Sequence, residues 1–208
     1  MENVLTLYHT PYNPKRPWIC FDESCKQLVK ETREPIPPEP GQLERYDYQY
    51  ERNGVANMFM FFEPLQSWRH IEVTDHRKAV DFAQMMKYLV DERYPEAEKI
   101  GIVLDQLNTH SPASLYKAFD PKEAKRIADK LEFYYTPKQG SWLNMAEIEL
   151  SVLNRQCLNC RIPDQDTLNL EIAAWEQERN QNSHSVNWQF TTDDARIKLK
   201  RLYPSIQS

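Results

Sequence analysis

The 208-residue sequence is short of cysteine and has no internal repeat, no low-complexity tract and no long apolar run. No segment approaches the ~20 apolar residues needed to cross a bilayer, which excludes a membrane-spanning helix. The N-terminus, MENVLTLYHT, has neither the basic start nor the apolar centre of a secretory signal, so a cytoplasmic location is expected. Four cysteines suit that compartment, where thiols stay reduced. Cys157 and Cys160 have half of a zinc-ligand spacing. Cys20 lies in an apolar strand, however, and the gap to Cys25 is poor for a knuckle, so core and surface thiols are expected. Basic excess is also missing: 26 Lys and Arg face 31 Asp and Glu, a net charge of −5. That balance speaks against nucleic-acid binding by overall charge, but it does not exclude local patches or carboxylates that hold cations. One patch is ARIKLKRLYPS, which packs Arg196, Lys198, Lys200 and Arg201 into a solvated helix end or a phosphate-contacting tail.

What is present is an ordinary globular composition, 40% hydrophobic and 27% charged, in a chain long enough for one domain (1–208) with a self-sufficient core. Residues 1–16 read as an extended lead-in, broken by Pro11 and Pro14 and followed by Pro17. Strands are expected over Trp18 to Asp22, Ala56 to Pro64, Ser67 to Asp75, Lys99 to Asp105 and Leu131 to Pro137. The proline-rich stretch 33–42 is a surface loop, and Asn53–Gly54 reads as a turn. A helix is expected after Thr74 and Asp75, which read as caps, and runs to about Tyr94. Two short helices follow in SPASLYKAF and PKEAKRIADKL, the second opened by Pro121. Further helices fit Trp142 to about Leu158, Thr167 to about Asn180, and Thr192 to Leu202. Three strands followed by alternating helices and strands predict an α/β fold, a mixed five-stranded sheet with helices on both faces, in an order that resembles the ribonuclease-H-like fold.

Three acidic residues stand out by context. Asp22 (PWICFDES) and Asp105 (KIGIVLDQLNTH) close apolar strand patterns, while Glu147 opens a helical pattern after Gly140–Ser141. Strand-end carboxylates facing a helix-borne one suit a pair of divalent cations about 3.5–4 Å apart, as in polymerases and nucleases. The combination points to phosphodiester chemistry.

The strings FDES, YERNG with the following N-x-F-M-F-F-E-P, VLDQLNTHSPASLY, YTPKQGSWLNMAEIELSVLNRQCL and DARIKLKRLYP resemble, over essentially the whole chain, bacterial insertion-sequence DDE transposases of the mariner-like superfamily. The resemblance implies a catalytic and metal-binding triad of Asp22, Asp105 and Glu147, taking two Mg2+ ions for which Mn2+ should substitute. It implies DNA as partner, both transposon ends and target, and a homodimer. That family carries helix-turn-helix modules before its catalytic domain. None is expected here: either a separately encoded subunit supplies one, or the chain is a remnant. Two positions depart from the family pattern: Gln106 stands where Asn usually follows the second Asp, and Gln139 where His commonly precedes Gly-Ser-Trp. Two other readings remain open, a stand-alone nuclease of the same fold and a catalytically silent copy acting through dimerisation.

Neighbouring acids compete for these roles. Glu23 should point to the sheet face opposite Asp22. Glu149 lies about 200° around the helix from Glu147, so only one of them can face a metal. His110, Gln106 and Asn108, in the loop after Asp105, are candidates for orienting water, phosphate or a ligand. Lys138 is a candidate phosphate contact beside the site, with Lys198, Lys200 and Arg201 further off. Trp142 reads as core packing, with stacking on a displaced base as the alternative.

Overall fold

The computed structural model describes residues 1–138, 140–182, 186 and 188–203. Its sheet is built from β1 (Trp18–Glu31), β2 (Tyr50–Glu63), β3 (Trp68–Thr74), β4 (Ile100–Leu104) and β5 (Leu131–Tyr135), ordered β3-β2-β1-β4-β5. The β1–β2 and β2–β3 pairs are antiparallel, whereas β1–β4 and β4–β5 are parallel. This is the mixed five-stranded sheet that the element order predicts.

Strand parity explains why the centre of the sheet is buried on both sides. Trp18, Cys20, Met58, Met60, Phe62 and Val103 enter one apolar cluster, while Ile19, Phe21, Phe59, Phe61, Ile102 and Leu104 enter another. The first cluster is covered by α5 (Met145–Gln156) and α6 (Gln165–Gln181), which contribute Met145, Leu153, Leu168, Ile172 and Trp175. The second is covered by α2 (Ala79–Tyr88), α3 (Leu115–Ala118) and α4 (Pro121–Lys130), through Phe82, Met86, Leu115 and Ile127. Helices therefore lie on both faces, as expected.

Four local expectations are corrected. The lead-in is not extended: α1 (Glu2–Tyr8) buries Val4, Leu5 and Tyr8, and Tyr8 packs its ring 5.1 Å from that of Trp18. The prolines begin only at Pro11, so they end this helix without preventing it. Asp22 is not at a strand end, because β1 runs nine residues further to Glu31. Asn53–Gly54 does not turn the chain; β2 passes straight through, with a register shift opposite Gln27–Val29 and Gly54 at φ 90°. A bulge with glycine in the left-handed region absorbs the extra residue. Thr74 ends β3 rather than capping a helix, and α2 starts later, where the Asp81 carboxylate accepts from the Lys78 backbone N–H at 2.6 Å. The α2 pattern continues through a π-helical turn, Leu89–Arg93. The loop 33–42 is a surface loop as read, largely exposed and held by the isolated Ile36–Arg45 and Glu39–Gln42 bridges.

The outer edge of β3 is closed by side chains of α6 rather than by another strand. Asn180 accepts from the Arg69 N–H at 2.9 Å and donates to the Arg69 carbonyl at 2.8 Å, imitating a strand partner. Glu176 accepts from the Ile71 N–H at 2.9 Å. Satisfied edge groups remove a template for strand addition. A last helix, α7 (Thr192–Lys198), is capped by Thr191 and docks near α1 through the Arg196–Glu2 ion pair at 2.8 Å. Among the described residues, no helix is long and apolar enough to cross a membrane.

Candidate active site

Asp22 shares its sheet face with Cys20 and Trp18 and so points toward α5. Its Oδ1 accepts from the Glu23 N–H at 2.8 Å, and its Oδ2 lies 3.3 Å from the Asn144 amide nitrogen. Burial, followed by the charges of Glu147 and Asp105, pushes the Asp22 carboxyl up to about 7 despite that backbone hydrogen bond. A carboxylate in such a place lacks a countercharge.

Asp105 sits one residue past β4, beside the central strand. Its Oδ1 accepts from the Leu107 N–H at 3.0 Å and from His110 Nδ1 at 2.6 Å. Glu147 lies in the first turn of α5, where a carboxylate also complements the helix N-terminus. Glu147 and Glu149 are packed differently. Glu149 is buried in an ion-pair network with Arg69 (3.0 Å) and Arg179 (2.9 Å), on the side of α5 that meets β3 and α6. Glu147 is half-buried and its charge is felt at Asp22.

One residue important to this geometry escaped the sequence reading. Asn144 caps α5 by accepting from the Ala146 N–H at 3.2 Å, while its amide donates to the Phe21 carbonyl at 2.8 Å. It thereby pins the start of α5 to β1 beside Asp22. The signal was present as Asn144-Met-Ala-Glu147, a capping pattern, but Gly140–Ser141 drew the helix start too early. Ser141–Leu143 forms only a short 3-10 turn before the true helix.

The loop after Asp105 is less uniform than expected. His110 is buried, with its Nε2 2.7 Å from Glu23 Oε2 and its Nδ1 on Asp105. Burial disfavours its charged form, but the hydrogen bonds and charges of Glu23 and Asp105 outweigh that and raise its pKa. Gln106 turns its amide to the Thr136 carbonyl at 2.9 Å, so it ties the loop to β5 rather than reaching the carboxylates. Asn108 is exposed and makes no hydrogen bond among the described residues. Lys138 joins Asp105, Gln106, Leu107, Thr136, Pro137 and Ser141 around an open cleft of about 500 Å³. Trp142 is not core: it is 42% exposed and stacks on Trp188 at 6.3 Å. Of the basic tail, Lys198 is ion-paired with Asp194 at 2.8 Å, and Lys200 and Arg201 lie in a terminal 3-10 turn. Gln139 lies outside the described residues. The four thiols are free; Cys20 is buried, while Cys25 and Cys160 are exposed.

The donor set fits hard divalent cations. Asp22, Asp105 and Glu147 offer carboxylate oxygens, and the raised pKa of Asp22 marks where a cation would relieve repulsion. Among the described residues no three His, Cys, Asp or Glu side chains are already gathered as a closed metal cluster.

A family model described as "DDE superfamily endonuclease" matches residues 17–169. No curated protein matches the sequence. The fold resembles the "Mos1 transposase paired-end complex with left transposon end", with TM-score 0.57 and 14% identity over 88% of this chain and 56% of that one. It resembles equally the "Mos1 mariner paired end complex with Mn", with TM-score 0.58 and 14% identity over 88% and 55%. A third likeness is to the "Mos1 Strand Transfer Complex", with TM-score 0.54 and 12% identity over 80% and 50%. The chain spans about half the length of these proteins. The shared architecture is the ribonuclease-H-like one. The chain belongs to the DDE superfamily endonucleases.

Proposed function

We propose that this chain is a transposase catalytic domain that cleaves DNA strands at transposon ends and joins them to target DNA, with Asp22, Asp105 and Glu147 as its metal-binding catalytic triad. The observation that carries this reading is the half-buried Asp22, raised to about 7 and facing the charges of Asp105 and Glu147 within an endonuclease-family fold. Glu149 is paired with two arginines, whereas the charges acting on Asp22 are those of neighbouring carboxylates.

The three carboxylates would hold two Mg2+ ions, with Mn2+ as substitute. Such ions, when bound, lower the pKa of a water or 3′-hydroxyl nucleophile and offset charge on the leaving oxygen. The chain's own contribution is placement. Asn144 fixes Glu147 against Asp22 by locking the N-terminus of α5 to β1. Gln106 and Tyr135, whose hydroxyl donates to the His110 carbonyl at 2.8 Å, hold the loop that carries Asp105. Lys138, at the rim of the cleft, supplies a positive charge for the phosphate next to the scissile one. The stacked Trp142–Trp188 pair exposes an aromatic face on which an unpaired base can rest. Its partners are DNA and a second copy of the chain, with end recognition supplied by a helix-turn-helix module.

A strand-transfer assay tests this reading. Purified chain, joined to a DNA-reading module for the cognate ends, is incubated with end-bearing oligonucleotides, plasmid target and Mn2+. Joined products are expected, and Asp105→Asn should abolish them. Cleavage without joining would indicate a stand-alone nuclease. Neither reaction, with dimerisation retained, would indicate a silent copy.

A further inference from the structure

Two consecutive residues of β1 serve the two faces of the sheet. Asp22 points toward α5, while Glu23 follows Ile19 and Phe21 onto the face covered by α2. On that side Glu23 is buried, its side chain only 5% exposed, and its Oε2 lies 2.7 Å from Nε2 of His110. The other ring nitrogen of His110 is 2.6 Å from Asp105 Oδ1. Each ring nitrogen of His110 is thus engaged by the carboxyl group of one acid. The imidazole is itself clamped: Phe21 meets it edge-on at 5.5 Å and Phe82 lies 5.1 Å away. The Ser114 hydroxyl and Tyr135 hydroxyl brace the same loop through the carbonyls of Thr109 and His110.

The consequence falls on Asp105. Its Oδ1 is committed to His110 and to the Leu107 N–H, while among the described residues Oδ2 accepts no hydrogen bond. The carboxylate is thus held in one orientation with one oxygen left to coordinate. We propose that Glu23, acting through His110, is a positioning residue that fixes Asp105 for metal binding. This rests on the proposed triad. The arrangement extends the outer-shell principle by one step: a carboxylate orients an imidazole, which orients the ligating carboxylate. It also gives a physical role to the second acid of Asp22–Glu23. One strand presents a ligand directly on one face and steadies its partner ligand from the other.

The test is Mn2+ binding to the DNA-free chain, followed by loss of the free-ion electron paramagnetic resonance signal. Wild type, Asp105→Asn, Glu23→Gln, Glu23→Asp, His110→Asn and the double variant Glu23→Gln with His110→Asn are compared, each with its melting temperature in EDTA. Loss of an outer-shell partner typically weakens metal affinity 10–100-fold, and that range is expected for Glu23→Gln. Glu23→Asp keeps the charge but withdraws the oxygen from His110, and should weaken binding too if Glu23→Gln proves poorly folded. The double variant should bind no more weakly than His110→Asn alone, because both act along one line. Wild-type affinity in a folded Glu23 variant would overturn the proposal, leaving Glu23 and His110 a structural pair. If Asp105→Asn binds Mn2+ as wild type does, the triad reading fails, and the positioning role falls with it.

Discussion

At the scale of single residues, the two glutamates of α5 behave as a controlled pair. Glu149 neutralises Arg69 and Arg179 in a buried network, and stripping one partner from such a network costs roughly 3–5 kcal/mol. Glu149→Gln is therefore expected to lower the melting temperature markedly, whereas Glu147→Gln should leave it unchanged in EDTA. Asp22 gives a pH signature. Its carboxyl titrates near 7 in the folded chain, against about 3.9 in a model peptide. Its contribution to stability is thus full below about pH 4 and is lost as pH rises through 7, because the folded state resists ionisation. In EDTA, thermal melts of wild type should lose of order 1–3 kcal/mol relative to Asp22→Asn between pH 5 and pH 8. Parallel curves for the two proteins would contradict this. Gln106→Asn shortens a side chain that reaches the Thr136 carbonyl, so it should loosen the Asp105 loop and reduce cleavage by several-fold. A rise in rate would show that the amide serves the metal site instead.

At the scale of elements, the docking of α6 on β3 is electrostatically tuned. His70 contacts Glu176 at 3.1 Å and Glu72 at 3.5 Å; burial alone would lower its pKa, but these carboxylates raise it to about 9. A histidine raised above its unfolded value of about 6.5 stabilises fully below that pH and loses the contribution as pH rises through 9. His70→Gln should flatten the stability curve between pH 6.5 and 9, by about 1–2 kcal/mol, in urea melts. The C-terminal basic segment allows a separate test. Lys198 already has a partner in Asp194, so Lys200 and Arg201 carry any phosphate contact. Replacing both with Ala should reduce the slope of log affinity against log salt by about 1–2 for duplex DNA. An unchanged slope would make the segment a solvated helix end.

Elements also show what could and could not be read beforehand. Every strand core was legible, because runs such as Met58–Phe62 and Ile100–Leu104 carry no polar side chain. The extension of β1 past Asp22 was not. Its second half, Glu23–Glu31, is half-exposed and polar, and only pairing with β2 makes it a strand. α1 was hidden for the opposite reason: seven residues have little helical propensity of their own, and burial of Val4 and Tyr8 against the sheet and of Leu5 against Leu143 and Ala195 stabilises them. The site residues Asp22, Asp105 and Glu147 were singled out from local context and resemblance. The bridge from Glu23 through His110 to Asp105 spans 87 residues of sequence at one contact, and no local pattern announces it.

At the scale of the whole molecule, the fold puts the proposed site and a buried ion-pair network on different sides of the same helix. One side of α5 presents Glu147 to Asp22, and another buries Glu149 against β3 and α6. The most direct test of the account is Mn2+-dependent nicking of supercoiled DNA by Glu147→Gln, measured beside wild type and Glu149→Gln at a temperature where all three are folded. The account predicts that Glu147→Gln is at least a hundredfold slower than wild type, with unchanged EDTA melting, while Glu149→Gln keeps its nicking rate within severalfold. Wild-type nicking by Glu147→Gln, with activity lost instead in Glu149→Gln, would contradict it.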